Sequence, residues 1–189
     1  MYKRQVNSRV ARAVGAHSYH DKPVLENGFY TFWADLPVDG METTIRGDRG
    51  FAAIPTNDDL TLLLVGCPYA QASQFRSDVA ANYFAALDRA PEFAARVDAA
   101  RRVERFTSGG VPNFYRTPFG PGWVLVGDAG FTKDPITAQG ISNAFVDAER
   151  TAAALHAVWS EGASFEHVMR ACQTERDATT MPTYEFTTQ

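Results

Sequence analysis

The 189-residue sequence predicts an α/β fold, an α+β fragment in which an antiparallel sheet with helices precedes a strand-to-helix unit. Two observations predict it. Between residues 29 and 65, short apolar runs alternate with turns of Gly, Pro, Asn and Asp, as in hairpin-linked strands. From residue 123, an apolar run passes through Gly-Asp and a proline-bearing loop into a long stretch of helical periodicity. A composition of 45% hydrophobic and 21% charged residues suits an ordinary globular chain of one domain, or one and a part.

In chain order, Val6 to Ala16 is small and mixed, and fits either a strand end or a helical turn. Phe29 to Trp33 is aromatic and reads as a strand, closed by the turn signal Leu36-Pro37-Val38-Asp39-Gly40. Thr43 to Arg46 is a second strand, ended by Gly47-Asp48. Phe51 to Pro55 is a third, and Asn57-Asp58-Asp59 turns the chain into a fourth at Leu60 to Val65. Beyond Pro68, Phe75, Val79, Tyr83, Ala86 and Leu87 share one helical face, with Ser73 as N-cap. Pro91 suits the first turn of another helix carrying Phe93, Ala94 and Val97. Arg101 to Phe106 returns to strand. Gly109-Gly110 and Phe119 to Gly122 bracket a loop, Val111 to Tyr115. Trp123 to Val126 is a strand, Pro135 to Trp159 a helix and Phe165 to Thr174 another, with Pro182 disrupting the chain beyond it.

The net charge of -4 gives no reason to expect nucleic acid or an anionic membrane as partner. No apolar run is long enough to span a bilayer, and the polar N-terminus lacks the apolar core of a signal peptide. Cys67 and Cys172 form no disulfide framework or metal spacing, so a reducing cytoplasm is expected and no metal is assigned. His17, His20, His156 and His167 show no triad or ligand spacing.

The segment from Trp123 to Leu155 carries the chemistry. Val124-Leu125-Val126 reads as a continuous apolar strand covered on both faces. Gly127 permits a sharp turn, and Asp128 stands at the strand's carboxyl end, where open α/β sheets place ligands. Its carboxylate can accept hydrogen bonds from two sugar-type hydroxyls. Pro135 can open the following helix. Ala138 and Gly140 are small enough for a flat ligand to lie against the first turn. The amides of Gln139, Gly140 and Ile141, with the helix dipole, favour negative charge there.

This order resembles the second FAD-binding motif of flavoprotein monooxygenases of the para-hydroxybenzoate hydroxylase type. The matching residues are Gly127-Asp128-Ala129-Gly130, Pro135, Ala138-Gln139-Gly140 and Asp147-Ala148. Phe131 stands where the family often has His, and Ala138 replaces the first Gly of Gly-Gln-Gly. Ser8-Arg9-Val10-Ala11-Arg12 is similar to the tail of a second family motif. On that count Met1 to Gln5 read as a non-native leader, and the end at Gln189 as a cut.

The resemblance implies that residues 6–28 are a remnant of an FAD-binding domain. Residues 29–110 would then be a substrate-binding sheet with helices. Residues 111–189 would be the C-terminal strand-helix part of an FAD/NAD(P)-binding Rossmann-like domain. A G-x-G-x-x-G opening a first βαβ unit is absent. By resemblance Asp128 would bind the ribityl chain, Pro135 would lie beside the isoalloxazine ring, and the amides of Gln139 to Ile141 would face its pyrimidine carbonyl.

The function implied is a monooxygenase. NAD(P)H would reduce FAD, and a flavin hydroperoxide would oxygenate a small organic substrate, the cofactor carrying the hard chemistry. No catalytic side chain is assigned. Two of the rings Phe29, Tyr30, Phe32 and Trp33 at most are expected to line a substrate pocket, the rest being core. A flavin-dependent halogenase and an isoprenoid-type reductase are the alternatives within flavin chemistry. A non-catalytic packing module is the alternative outside it. A nucleotide-triphosphatase reading lacks the required G-x-x-x-x-G-K-[ST].

Overall fold

The computed structural model describes residues 6–189, so the leader expected at Met1 to Gln5 lies outside the described residues. They divide into two compact units, residues 25–110 and residues 6–24 with 111–189.

The first unit is a mixed α/β layer. Its strands are β2 (Glu26–Ala34), β3 (Glu42–Arg46), β4 (Arg49–Pro55), β5 (Thr61–Pro68), β6 (Arg101–Arg102) and β7 (Thr107–Gly109). They form a six-stranded antiparallel sheet in the order β3-β4-β5-β2-β6, with β7 also paired to β2. Gly47 and Asp48 make the two-residue connection between β3 and β4, whose ends pair as Arg46 with Arg49. Alternation decides the faces. Phe29, Trp33, Phe51, Ala53, Leu63, Val65 and Cys67 are buried under helices α2 (Ala72–Ser77), α3 (Val79–Leu87) and α4 (Pro91–Val97), against Phe75, Tyr83, Leu87, Phe93 and Val97. Tyr83 ties α3 to the sheet by donating to the Leu63 carbonyl at 2.9 Å. The opposite face carries Tyr30, Phe32, Leu62 and Leu64, all half-buried. The aromatic run is therefore split, with Phe29 and Trp33 in the core.

Two expectations in this unit need correction. The helix after Pro68 breaks at Asp78, whose extended backbone and carboxylate cap α3 by accepting from the Ala81 amide at 3.0 Å. Ser73 lies inside α2 and caps nothing. The strand expected at Arg101 to Phe106 is instead the separate pieces β6 and β7. Between them the Thr31 hydroxyl donates to the Glu104 carbonyl at 2.6 Å.

The second unit begins with α1 (Arg9–Ala13), capped by the Ser8 hydroxyl, so the helical option for 6–16 is the one adopted. β1 (Ser18–Lys22) pairs with β8 (Asn113–Arg116), and β8 pairs with β11 (Phe131–Thr132), all antiparallel. The loop expected at Val111 to Tyr115 is thus the central strand of this sheet, with Asn113, Phe114 and Tyr115 buried. The run expected as one strand at Trp123 to Val126 pairs only as a short ribbon, β9 (Phe119–Gly120) with β10 (Trp123–Val124). It is not covered on both faces, since Val126 is 39% exposed.

Two long helices complete the unit. Helix α5 (Gly140–Glu161) is 22 residues long, yet Ala154 is its only buried residue. Ile141, Phe145 and Trp159 are 73–77% exposed on it. Helix α6 (Phe165–Thr187) runs straight through Pro182. A proline inside a helix costs about 3 kcal/mol. Here packing offsets it: Tyr184 is fully buried against Tyr115 and Phe131, with Met181 beside them. Its hydroxyl also donates to the His20 carbonyl. Among the described residues, no helix is long and apolar enough to cross a membrane.

Candidate functional site

The site is built where β10 ends. Leu125 is buried, and the chain then makes a 3-10 turn over Gly127–Ala129. Gly127 has φ +55°, a conformation that costs other residues about 1–2 kcal/mol. A Cβ there would meet the Ala144 Cβ of α5 at 2.9 Å. Glycine is thus required both by the turn and by the approach of the helix. The Gly127 amide donates to Asp147 Oδ2 at 3.2 Å, which gives the motif's second aspartate a defined task. Burial raises the Asp147 carboxyl above its ordinary range, against the pull of Arg176 and of that amide.

Asp128, next along the turn, is half-buried and has no hydrogen-bond or ion-pair partner among the described residues. Burial alone raises its pKa. A carboxylate kept partly from water with nothing to accept from is the donor-seeking group that a polyhydroxyl chain satisfies.

Farther on, Asp134 accepts from the Ile136 amide at 3.0 Å and caps a second 3-10 turn, Pro135–Thr137. Pro135 therefore opens this turn and not, as expected from the sequence, the long helix. Ala138 then takes the left-handed conformation at φ +52°, which separates turn from helix. A glycine would adopt that conformation without strain, which accounts for the Gly of the Gly-Gln-Gly pattern at this position. Gln139 occupies the N-cap position of α5 with no side-chain cap, and no acidic residue stands in the first turn. The first intrahelical bond runs from the Asn143 amide to the Gln139 carbonyl at 2.9 Å. The preceding amides of Gly140, Ile141 and Ser142 have no partner within the helix.

Gly127, Asp128, Pro135, Ala138, Gln139, Gly140 and Ile141 all line one cleft of about 210 Å³. Its wall also includes Val111, Phe131, Thr132, Lys133, Asp134 and Asn143. Apolar surface, a desolvated carboxylate and uncapped amides face the same space. Such a cleft accepts a flat ring with an electron-rich edge and an attached hydroxyl chain. The donor set therefore fits the ring and ribityl parts of a flavin.

Lys133 is a cleft residue that sequence reasoning misses. It is 9% exposed, and its ammonium donates to the Thr137 hydroxyl. No signal in the sequence marks it, since a loop lysine beside an aspartate is ordinarily solvated.

No protein-family model matches the chain, and no curated protein matches it. Solved structures do. CndH, a myxobacterial chondrochloren halogenase of FAD-dependent type, matches 90% of this chain at 19% identity with a TM-score of 0.81. CmlS, a flavin-dependent halogenase, matches 95% at 19% identity and 0.77. PqsL, a probable FAD-dependent monooxygenase from Pseudomonas aeruginosa, matches 96% at 21% identity and 0.70. The fold is that of flavin-dependent halogenases and monooxygenases. This chain spans 42%, 33% and 50% of those three chains, respectively.

Proposed function

We propose that the chain is part of an FAD-dependent oxidoreductase, a monooxygenase of the para-hydroxybenzoate hydroxylase type that uses NAD(P)H and acts on a small organic substrate. The observation that carries this reading is the convergence of Gly127, Asp128, Pro135, Ala138, Gln139, Gly140 and Ile141 on one cleft. Asp128 would accept hydrogen bonds from the ribityl hydroxyls. The first-turn amides of α5 would hold the pyrimidine carbonyl. Pro135 and Ala138 would contact the ring. Bound there, the flavin supplies the redox and oxygen chemistry. Nucleic acid and membrane are not among the partners in this reading, and the setting is the cytoplasm.

A halogenase is the second reading, favoured by the TM-scores of 0.81 and 0.77 to two such enzymes. Reduced flavin and oxygen are consumed by both, so the halide dependence of the product separates the two. Product formation that requires halide would mark the halogenase, and halide-independent oxygenation the monooxygenase.

Titration of this chain with FAD tests the cofactor assignment. Because it spans half or less of the related chains, a dissociation constant well above ~1 μM is expected, and no independent activity. Asp128→Asn should weaken that binding about 10-fold or more, the worth of charge-assisted hydrogen bonds. The same variant should be more stable than the parent. Asp128 is raised in the fold, so its charged form opposes folding, and stability falls as pH rises through its titration. The gain on Asp128→Asn should appear at pH 7 and vanish below the carboxylate range. Unchanged FAD affinity in this variant would rule out the assigned role.

A further inference from the structure

Lys133 carries a charge where water is scarce. It lies on the cleft wall and is 9% exposed. Among the described residues its ammonium donates only to the Thr137 hydroxyl, and no ion pair includes it. The other ionisable groups lining the cleft are Asp128 and Asp134. The Asp134 carboxylate is already engaged by the Ile136 amide. Burial lowers the proton affinity of Lys133, with Asp134 acting in the opposite sense. A buried ammonium that forms no ion pair costs stability. An apolar residue would fill the same space at less cost, so the cation points to a ligand that uses it.

A second source of positive potential opens on the same cleft. The first turn of α5 has no side-chain cap and no acidic residue. The lysine and the helix terminus arise from different elements of the backbone, yet both favour negative charge in one place. Thr137 links them further, since it belongs to the 3-10 turn that ends at the left-handed Ala138.

We infer that Lys133 is a charge-selecting residue of the cleft, which makes the site bind the anionic reduced form of a flavin ring more tightly than the neutral oxidised form. This rests on the flavin reading of the cleft. Lys133 acts through its field and does not need to exchange a proton with the ring. Binding of the anion restores the proton affinity that burial removes from the amine, and by linkage the protonated amine favours the anion.

The sequence makes the test direct, because Lys3, Lys22 and Lys133 are its only lysines. The full 189-residue chain is labelled with ¹³C-lysine and titrated with pH in the presence of millimolar FMN. FMN carries the ring and ribityl chain without the adenosine. One sample holds oxidised FMN, another FMN reduced by dithionite without oxygen, and a third inorganic phosphate alone. The Lys133 resonance should titrate about one pH unit higher with reduced than with oxidised FMN, which corresponds to about tenfold tighter binding of the reduced form. In uniformly ¹⁵N-labelled samples, the ratio of FMN dissociation constants for the two forms, read from the Ala138 and Ile141 amide shifts, should lose most of that preference in Lys133→Met and keep it in Lys133→Arg.

Equal midpoints for the two forms overturn the inference, as does an undiminished preference in Lys133→Met. A shift produced equally by phosphate alone also overturns it. If oxidised FMN moves the Ala138 and Ile141 amides but the lysine ignores reduction, only the role of Lys133 fails. If neither form moves those amides, the flavin reading fails with it.

Discussion

Arg176→Met is expected to destabilise the unit containing residues 111–189 by about 3–5 kcal/mol, the usual result of breaking a buried charge network from one side. Arg176 is 3% exposed on α6. Its Nε donates to Asp177 Oδ1 at 2.9 Å. Its terminal nitrogens donate to the Tyr19 hydroxyl at 2.7 Å, the Arg116 carbonyl at 3.2 Å and the Gly130 carbonyl at 3.3 Å. One guanidinium therefore fastens the helix to β1, β8 and the turn that carries Asp128. Burial and the bond to Asp177 hold the Tyr19 hydroxyl up at about 12, so it stays a neutral partner across the physiological range. Methionine preserves volume but leaves the Asp177 carboxylate and two carbonyls without this donor. Urea unfolding followed by circular dichroism measures the loss. Arg176→Lys should recover little of it, because a point charge cannot reproduce the planar fork. A loss below about 1 kcal/mol for Arg176→Met, no more than an ordinary surface pair contributes, would show that the network is dispensable.

Gly127→Val should cost about 2–5 kcal/mol, combining a left-handed backbone penalty with overpacking. The Cβ alone would lie 2.9 Å from the Ala144 Cβ, and a branched side chain makes the conflict worse. Gly127→Ala, combined with Ala144→Gly in a double-mutant cycle, isolates the steric part. The cost of glycine within α5 cancels in the cycle, leaving a coupling of about 1–3 kcal/mol. Zero coupling would mean that the helix moves aside freely. In that case Gly127 is required by its φ alone, and the first turn of α5 is not positioned by this contact.

The strands β2 to β5 are legible in the sequence because each is a short aromatic, β-branched or apolar run bounded by turn residues; which face is buried, alternating from Phe29 to Trp33 and from Thr61 to Val65, shows only in the fold. The cleft is legible for another reason. Gly127, Asp128 and Ala138 each answer a local demand of backbone or charge, and local demands leave marks in sequence. β1 and β8 leave none. Their pairing joins Ser18 to Arg116, almost a hundred positions apart, and β8 is buried nearly throughout, so no alternation announces it. Glycines on either side give it the look of a loop. Pro182 misleads in the same manner, since the gain from burying Tyr184 is a tertiary one. The break at Asp78 is readable in principle, aspartate being as good an N-cap as Ser73 and standing directly before the apolar run of α3. Lys133 is invisible as a functional group because a lysine is ordinarily solvated, and only the fold shows that this one is not.

The bare helix α5 has a consequence for handling the protein. Ile141, Phe145 and Trp159 present large apolar side chains to water at 76%, 73% and 77% exposure. Ile141 and Phe145 stand one turn apart and add to each other, while Trp159 is a separate exposed ring about 21 Å along the helix. With a net charge of only -4, electrostatic repulsion gives little colloidal protection. The isolated polypeptide should therefore be sticky: retained on hydrophobic-interaction resin, bright with a solvatochromic dye, and less soluble in sulfate than in chloride. Its shelf life would be governed by one helix rather than by the cores of either unit.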